Sequence, residues 1–374
     1  MTEKTATRLE RLFFFGRPLS PLYGFLMTAR SNFYRRGFLR QRKLEVPVVS
    51  VGNLLLGGTG KTPLVHYIAR LLQQHHAQPA ILSRGYGGAA TAAINVVADR
   101  QNIMLDAAAA GDEPRLLAEK LPGVPVITGK KRYAAGRFAI DTLGAEVLIL
   151  DDGFQHMALQ RDLNLVLFNG LTCLGNGRVL PGGELREPVS ALQRADAFII
   201  SNVGSVTAKR VRECIAFLQI TQPETPVFTT SYRPAKTLIR LHQGKSSIIS
   251  PAAAATIPLY GFCGIAAPAS FRNTLLAAGL NLKDFEAYAD HYPYSAGDIE
   301  TLCRRAEGCG AAGLITTEKD LVKVRHLLPA EFPLLVLPIE LEAGEDFDLF
   351  LRQHLAKLLP SFSVDESAFS ASRT

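Results

Sequence analysis

Gly57-Gly58-Thr59-Gly60-Lys61-Thr62 has the residue types and spacing to cradle the phosphates of a nucleotide. Glycines let backbone N–H groups approach phosphate oxygens, and a helix starting near the lysine adds the positive end of its dipole. In such a loop Lys61 reaches the β- and γ-phosphates and Thr62 ligates Mg²⁺. The eight-residue form of the motif has glycine where Leu55 stands, so the flanking elements carry part of the identification. A second stretch, Glu146-Val147-Leu148-Ile149-Leu150-Asp151-Asp152, is an apolar run ending in acids, the form of strand that serves the nucleotide's metal. A third, Ala80 to Gly88, ends in Ser83-Arg84-Gly85-Tyr86-Gly87-Gly88. Gly111-Asp112-Glu113-Pro114 places two carboxylates at a helix start, where they read as a cap or as acid–base groups. Gly153-Phe154-Gln155-His156 follows the acidic strand, and the loop from Gly175 to Pro188 joins flexible glycines to Arg178 and Arg186, side chains suited to anions.

Strands and helices must hold these residues together. Val46 to Val51 is a short β-branched run of buried-strand type, and Leu64, Ile68, Leu71 and Leu72 continue in helical spacing after the glycine loop. Strands alternating with helices predict a parallel sheet, whose ligands sit at the strands' carboxyl ends. The glycine loop, the Ser83–Gly88 loop and the Asp151–Asp152 pair all fall at such ends and should converge. The alanine-rich stretches 89–98 and 107–110 read as a flexible insertion. From residue 226 onward, strand-like runs at 227–230, 237–239, 257–260 and 312–317 and helical patterns at 269–280 and 296–308 predict a smaller α/β unit. Thr317-Glu318-Lys319-Asp320 has its lysine one place too late for a guanine-reading Asn-Lys-x-Asp, which favours ATP over GTP.

The chain has 374 residues, 47% hydrophobic and 20% charged, which excludes a disordered chain, and a formal net charge of +7, which favours a polyanionic partner. Its five cysteines form no CxxC pair, so reduced thiols and no cysteine metal site are expected. No run of 18 uninterrupted apolar residues occurs. Near the N-terminus, Leu22, Phe25, Leu26, Ala29 and Phe33 form one helical stripe after Ser20-Pro21, which reads as a cap and first turn. Phe13-Phe14-Phe15 precedes the stripe, and Arg30, Arg35, Arg36, Arg40, Arg42 and Lys43 lie along and beyond it, with no acid between Arg11 and Leu44. This suits an amphipathic helix on an anionic membrane surface; a helix packed on its own domain is the alternative.

Taken in order, Gly-Gly-Thr-Gly-Lys-Thr-Pro, Ser-Arg-Gly-Tyr-Gly-Gly, Gly-Asp-Glu-Pro, Asp-Asp-Gly-Phe-Gln-His, Gly-Asn-Gly with Leu-Arg-Glu-Pro, Asp290-His291 and Thr-Glu-Lys-Asp resemble the tetraacyldisaccharide 4′-kinase family over roughly residues 20–325. The resemblance implies ATP- and Mg²⁺-dependent phosphorylation of the 4′-hydroxyl of a lipid A disaccharide 1-phosphate, giving lipid IVA, at the cytoplasmic face of a Gram-negative inner membrane, with peripheral or monotopic attachment. It implies a P-loop NTPase-type domain (45–225) joined to a smaller α/β domain (226–359); the residues themselves read as a membrane-interface segment (1–44) and, from serine and small-residue content, a disordered tail (360–374). By this resemblance Lys61 is the P-loop lysine, Thr62 a magnesium ligand, Asp112 the base, Glu113 its neighbour near the metal, and Asp151 and Asp152 the Walker B pair. Gln155 and His156 are polar supports, Arg186 faces phosphate, and His291 partners Asp112; Arg84 is a further supporting residue. Asn169 departs from an aspartate common in the family, and the 264–271 stretch lacks a basic residue often found there. A membrane-associated P-loop ATPase of the partitioning type is the competing reading, but Leu56 stands where such switches carry lysine. Nucleic-acid binding lacks any supporting motif, and no obligate protein partner is expected.

Overall fold

In a computed structural model of the chain, residues 11–205, 207–360 and 362 are described. Nearly all of the tail expected over 360–374, and the first ten residues, lie outside them. Nine strands form the larger sheet, in the order Ile339–Ala343, Val227–Pro234, Ala197–Ser201, Leu163–Asn169, Val48–Asn53, Val147–Asp151, Pro79–Ser83, Val126–Thr128 and Asn95–Ala98. Only the two outermost pairings are antiparallel. The central strands are buried on both faces, which is why they read as unbroken apolar runs. The helix Lys61–Gln74 covers one face, burying Leu64, Val65, Ile68, Ala69, Leu71 and Leu72. Each large side chain among these contributes roughly 1.5–3 kcal/mol by leaving water.

The second sheet has six strands, in the order Lys245–Ile249, Leu238–His242, Leu334–Val336, Gly313–Thr316, Leu259–Cys263 and Leu282–Ala287. Its last four strands run parallel. The boundary expected at residue 226 is corrected here. Val227–Pro234 still pairs with Ala197–Ser201, and the chain returns to the large sheet at Ile339–Ala343 and the helix Glu345–Leu358. Phe347, Leu351 and Leu355 join the core that holds Leu64 and Ile68. The smaller sheet is therefore an excursion between two parts of the larger unit.

Two local expectations also change. The alanine-rich insertion is ordered: Asn95–Ala98 is an edge strand, and Asp106 Oδ1 accepts from Ala109 N to cap Ala107–Ala110. Cys173 and Cys214, expected as thiols, form a disulfide, because the helix Ala208–Thr221 lies against the loop after Asn169. The separation of 41 residues gives no sequence signal for the pair.

The helix Ser20–Arg35 forms as its periodicity predicts, but the stripe faces outward: Leu22 is 59%, Phe25 69% and Phe33 50% exposed. Ser20 is no cap; its hydroxyl donates to Val179 O and accepts from Gly182 N. Tyr23 Oη donates to Arg186 O, and Arg30 donates to Gln155 O. The small and polar side of this helix thus grips the loop carrying Arg186. No described helix is long and apolar enough to cross a membrane.

Candidate active site

The strand Val48–Asn53 lies between Leu163–Asn169 and Val147–Asp151, with Pro79–Ser83 next, so the three predicted loops do meet at one sheet edge. Gly60 adopts φ 84°, and a Cβ there would collide with Tyr232 Oη. Glycine is therefore required where the loop turns into its helix. Ser201 Oγ donates to Thr59 O at 2.7 Å, pinning the loop from the next strand but one. The Arg186 loop is laced to the glycine loop's start by Leu56 N to Glu184 O and Arg186 N to Leu54 O. Gly52 passes so close to the segment after Asp152 that a Cβ would lie 2.6 Å from Phe154.

Asp152 sits between two cations, with Lys61 Nζ at 3.4 Å and Arg186 Nη1 at 2.7 Å. Burial alone would raise its carboxyl, but the Lys61 and Arg186 charges outweigh that and hold it below the usual carboxylate range. Its neighbour Asp151 is 1% exposed and accepts from Ser83 Oγ at 3.1 Å. Burial, then the nearby Glu113 charge, push Asp151 up to about 7. Adjacent acids thus differ sharply in proton affinity because one has cationic partners and the other lacks direct ones. Asp152 has φ 58°, a left-handed conformation costing about 1–3 kcal/mol and typical of functional positions. Arg186 also approaches Gln155 Oε1 at 3.5 Å, and Gln155 donates to Asn53 O. His156 lies among Arg132, Arg161, Arg30 and Arg84; burial and then these charges push its imidazole down to about 4.

Asp112 begins the helix Asp112–Lys120 of the larger unit, and His291 follows the strand Leu282–Ala287 of the smaller sheet. His291 Nδ1 lies 3.1 Å from Asp112 Oδ2, so residues 179 apart in sequence meet across the two sheets. His291 is also left-handed, with φ 60°. Tyr86, from the loop after Ser83, stands edge-on to its ring at 6.4 Å. The contact is braced by residues that motif reading left without a role. Lys120 pairs with Glu318 at 2.8 Å and Arg325 with Glu119 at 2.9 Å, joining Asp112–Lys120 to the helix Glu318–Val324. Lys323 Nζ lies 3.7 Å from Asp112 and 2.9 Å from the buried Asp320. Arg132, buried beside the Asp151–Asp152 pair, was also missed, since one arginine in a helix carries no pattern.

Whether these groups fit Mg²⁺ and a nucleotide can be judged from their buried polar atoms. Among the described residues, Thr59 Oγ1 and Asp151 Oδ1 are buried without a hydrogen-bond partner, and no three His, Cys, Asp or Glu side chains form a cage. An open set of this kind fits Mg²⁺, which takes one or two carboxylates, here with a hydroxyl, and fills the rest of its octahedron with phosphates and water. Residues 12–356 match the family described as tetraacyldisaccharide-1-P 4′-kinase. The chain belongs to the tetraacyldisaccharide 4′-kinase family. A tetraacyldisaccharide 4′-kinase of Desulfotalea psychrophila is 46% identical over 337 residues, 90% of this chain and 95% of that one. A Syntrophus aciditrophicus tetraacyldisaccharide 4′-kinase is 41% identical, covering 83% and 84%. The crystal structure of a relative from Aquifex aeolicus, in complex with ATP, superposes with a TM-score of 0.72 at 32% identity, covering 92% of this chain and 98% of that one. Membership in this kinase family sets aside the partitioning-type ATPase. It also agrees with the expected architecture, a parallel P-loop sheet joined to a smaller α/β unit.

Proposed function

We propose that this chain is an ATP-dependent tetraacyldisaccharide 4′-kinase that transfers the γ-phosphoryl group to the 4′-hydroxyl of a lipid A disaccharide 1-phosphate, giving lipid IVA. The observation that carries the site assignment is the Asp112–His291 contact, which brings a carboxylate and an imidazole from two sheets beside a P-loop. Phosphoryl transfer depends mainly on positioning and charge neutralisation. Gly57, Gly58, Thr59 and Gly60 cradle phosphates with their backbone N–H groups, and Lys61 and Arg186 neutralise charge on the transferring group. Thr62, Asp152 and Glu113 would hold Mg²⁺, which supplies further neutralisation of the phosphate oxygens when bound. Asp112 accepts the hydroxyl proton, and His291 orients its carboxylate. Asp151, Gln155, His156 and Arg84 shape the surroundings and support the acceptor's polar head.

The acceptor is a lipid, and the outward stripe of Ser20–Arg35 suits its surface. Phe14, Phe15, Leu19, Leu22, Phe25 and Leu26 are all at least half exposed, a patch whose natural cover is an acyl boundary. Of the basic residues expected to meet headgroups, Arg42 stacks on Tyr133 and Arg30 on Tyr34, leaving Arg35, Arg36, Arg40 and Lys43 for the anionic surface. These features support peripheral attachment at the cytoplasmic face of the inner membrane, the side that holds ATP. Incubation with Mg·ATP and an acylated disaccharide 1-phosphate, read by mass spectrometry, should show one added phosphate. ATP hydrolysis with no phosphate on the lipid would overturn the reading.

A further inference from the structure

The Thr317-Glu318-Lys319-Asp320 motif has no part in the mechanism above, yet it stands beside the proposed proton acceptor. Lys319 Nζ lies 3.0 Å from His291 Nε2, 3.2 Å from Asp290 Oδ1 and 4.0 Å from Glu113 Oε1. A lysine ammonium only donates, so its partner at Nε2 must be a lone pair. On the other side of the ring, an ionised Asp112 carboxylate only accepts, so Nδ1 must carry the proton. The two contacts together specify one neutral tautomer. A doubly protonated ring would aim an N–H at the ammonium, and the opposite tautomer would break both contacts.

The support is rigid. Thr317 Oγ1 accepts from Asp320 N, and Asp320, 0% exposed, accepts from Gly264 N at 3.0 Å. The carbonyl of Gly264 in turn accepts from His291 N at 3.1 Å. One glycine therefore ties the helix carrying Lys319 to the left-handed residue that carries the imidazole. A surface ion pair to Asp290 alone would need no such bracing.

We propose that Lys319 is a positioning residue for phosphoryl transfer: by donating to His291 Nε2 it fixes the orientation and tautomer of the ring, with the Nδ1–H directed at Asp112. The inference rests on the Asp112–His291 reading. Its chemical content is that the Asp112 carboxylate stays aimed at the acceptor's hydroxyl, because the ring beside it is clamped at both nitrogens. Lys319 itself touches neither ATP nor the sugar in this role.

The test uses the full chain with Lys319→Met, Lys319→Gln and Lys319→Arg, each checked by thermal unfolding. The ¹⁵N signals of the His291 ring should report an Nδ1–H tautomer in the parent and a changed pattern in Lys319→Met. The kcat should fall roughly tenfold to hundredfold, a part of what acid–base groups contribute, with KM for ATP within about twofold. Lys319→Arg and Lys319→Gln, which keep an N–H donor, should recover much of both signals. An unchanged ring pattern in folded Lys319→Met, or no recovery of the parent pattern in folded Lys319→Arg and Lys319→Gln, would overturn the proposal, leaving Lys319 as the partner of Asp290 only. A changed ring with full kcat would overturn it as well. Asp112→Asn with undiminished kcat would instead sink the dyad reading beneath it, so the two failures are distinct.

Discussion

Replacing the outward apolar side chains of Ser20–Arg35 and its leading turn should detach the enzyme from membranes while sparing its fold. Phe15 is 76%, Leu22 59% and Phe25 69% exposed. Complete burial of such side chains is worth about 1.5–3 kcal/mol each. Scaled by those exposures, the triple variant Phe15→Ser, Leu22→Ser, Phe25→Ser loses roughly 4 kcal/mol of insertion energy, about a 10³-fold drop in partitioning. The grip on the Arg186 loop is made by Ser20 and Tyr23, on the other side of the helix, and survives the substitutions. Sedimentation with anionic vesicles reads the partitioning, and thermal unfolding with nucleotide binding reads the body of the protein. Binding by the parent should weaken at high salt, since four basic residues contribute through a screened attraction. Equal vesicle binding by parent and triple variant, or no binding by the parent, would refute the reasoning.

Lys61→Ala, Thr62→Ala and Asp152→Ala should each lower kcat by roughly 10²-fold or more in folded protein; near-parental turnover in Asp152→Ala would remove that carboxylate from the metal site. Asp112→Ala and His291→Ala should be strongly non-additive, the double variant little slower than the worse single, whereas multiplicative losses would show independent roles. His156 gives a pH signature. Its folded value of about 4 lies below the ordinary imidazole value, so between pH 6.5 and 4 the unfolded chain binds a proton that the native chain refuses. Stability should fall as pH drops through that window, by at most about 3 kcal/mol from this group. Urea unfolding at pH 7 and pH 4.5 should show a shallower loss in His156→Gln; an identical slope would exclude this source.

The nucleotide half was legible in the sequence because its chemistry is local. Strand, glycine turn and helix follow one another over some thirty residues, and the Asp151–Asp152 strand announces itself by its unbroken apolar run. Helices with one apolar stripe were also readable, including the one whose stripe faces outward, because period and orientation are separate facts. What could not be read depends on distant partners. The Cys173–Cys214 pair follows from packing of Ala208–Thr221, and the return of Ile339–Ala343 to the large sheet follows from its pairing with Val227–Pro234. His291 was visible only through family resemblance, since a histidine in a loop has no pattern of its own. Lys319 lay inside a recognised motif, yet its role depends on a ring nitrogen brought to it by another loop.

The return of the last strand and helix to the first sheet has a consequence for synthesis. Phe347, Leu351 and Leu355 seal the core against Leu64, Val65 and Ile68, so the phosphate loop is encoded early and its support arrives last. At ribosomal speeds that interval is roughly tens of seconds. Most of the smaller sheet can close meanwhile, because its strands lie between residues 238 and 336 and need neither end of the chain. The outward-striped helix emerges before either sheet and is free to find lipid first. Under the membrane reading proposed above, a nascent chain meets lipid before its last strand and helix complete the core behind the phosphate loop.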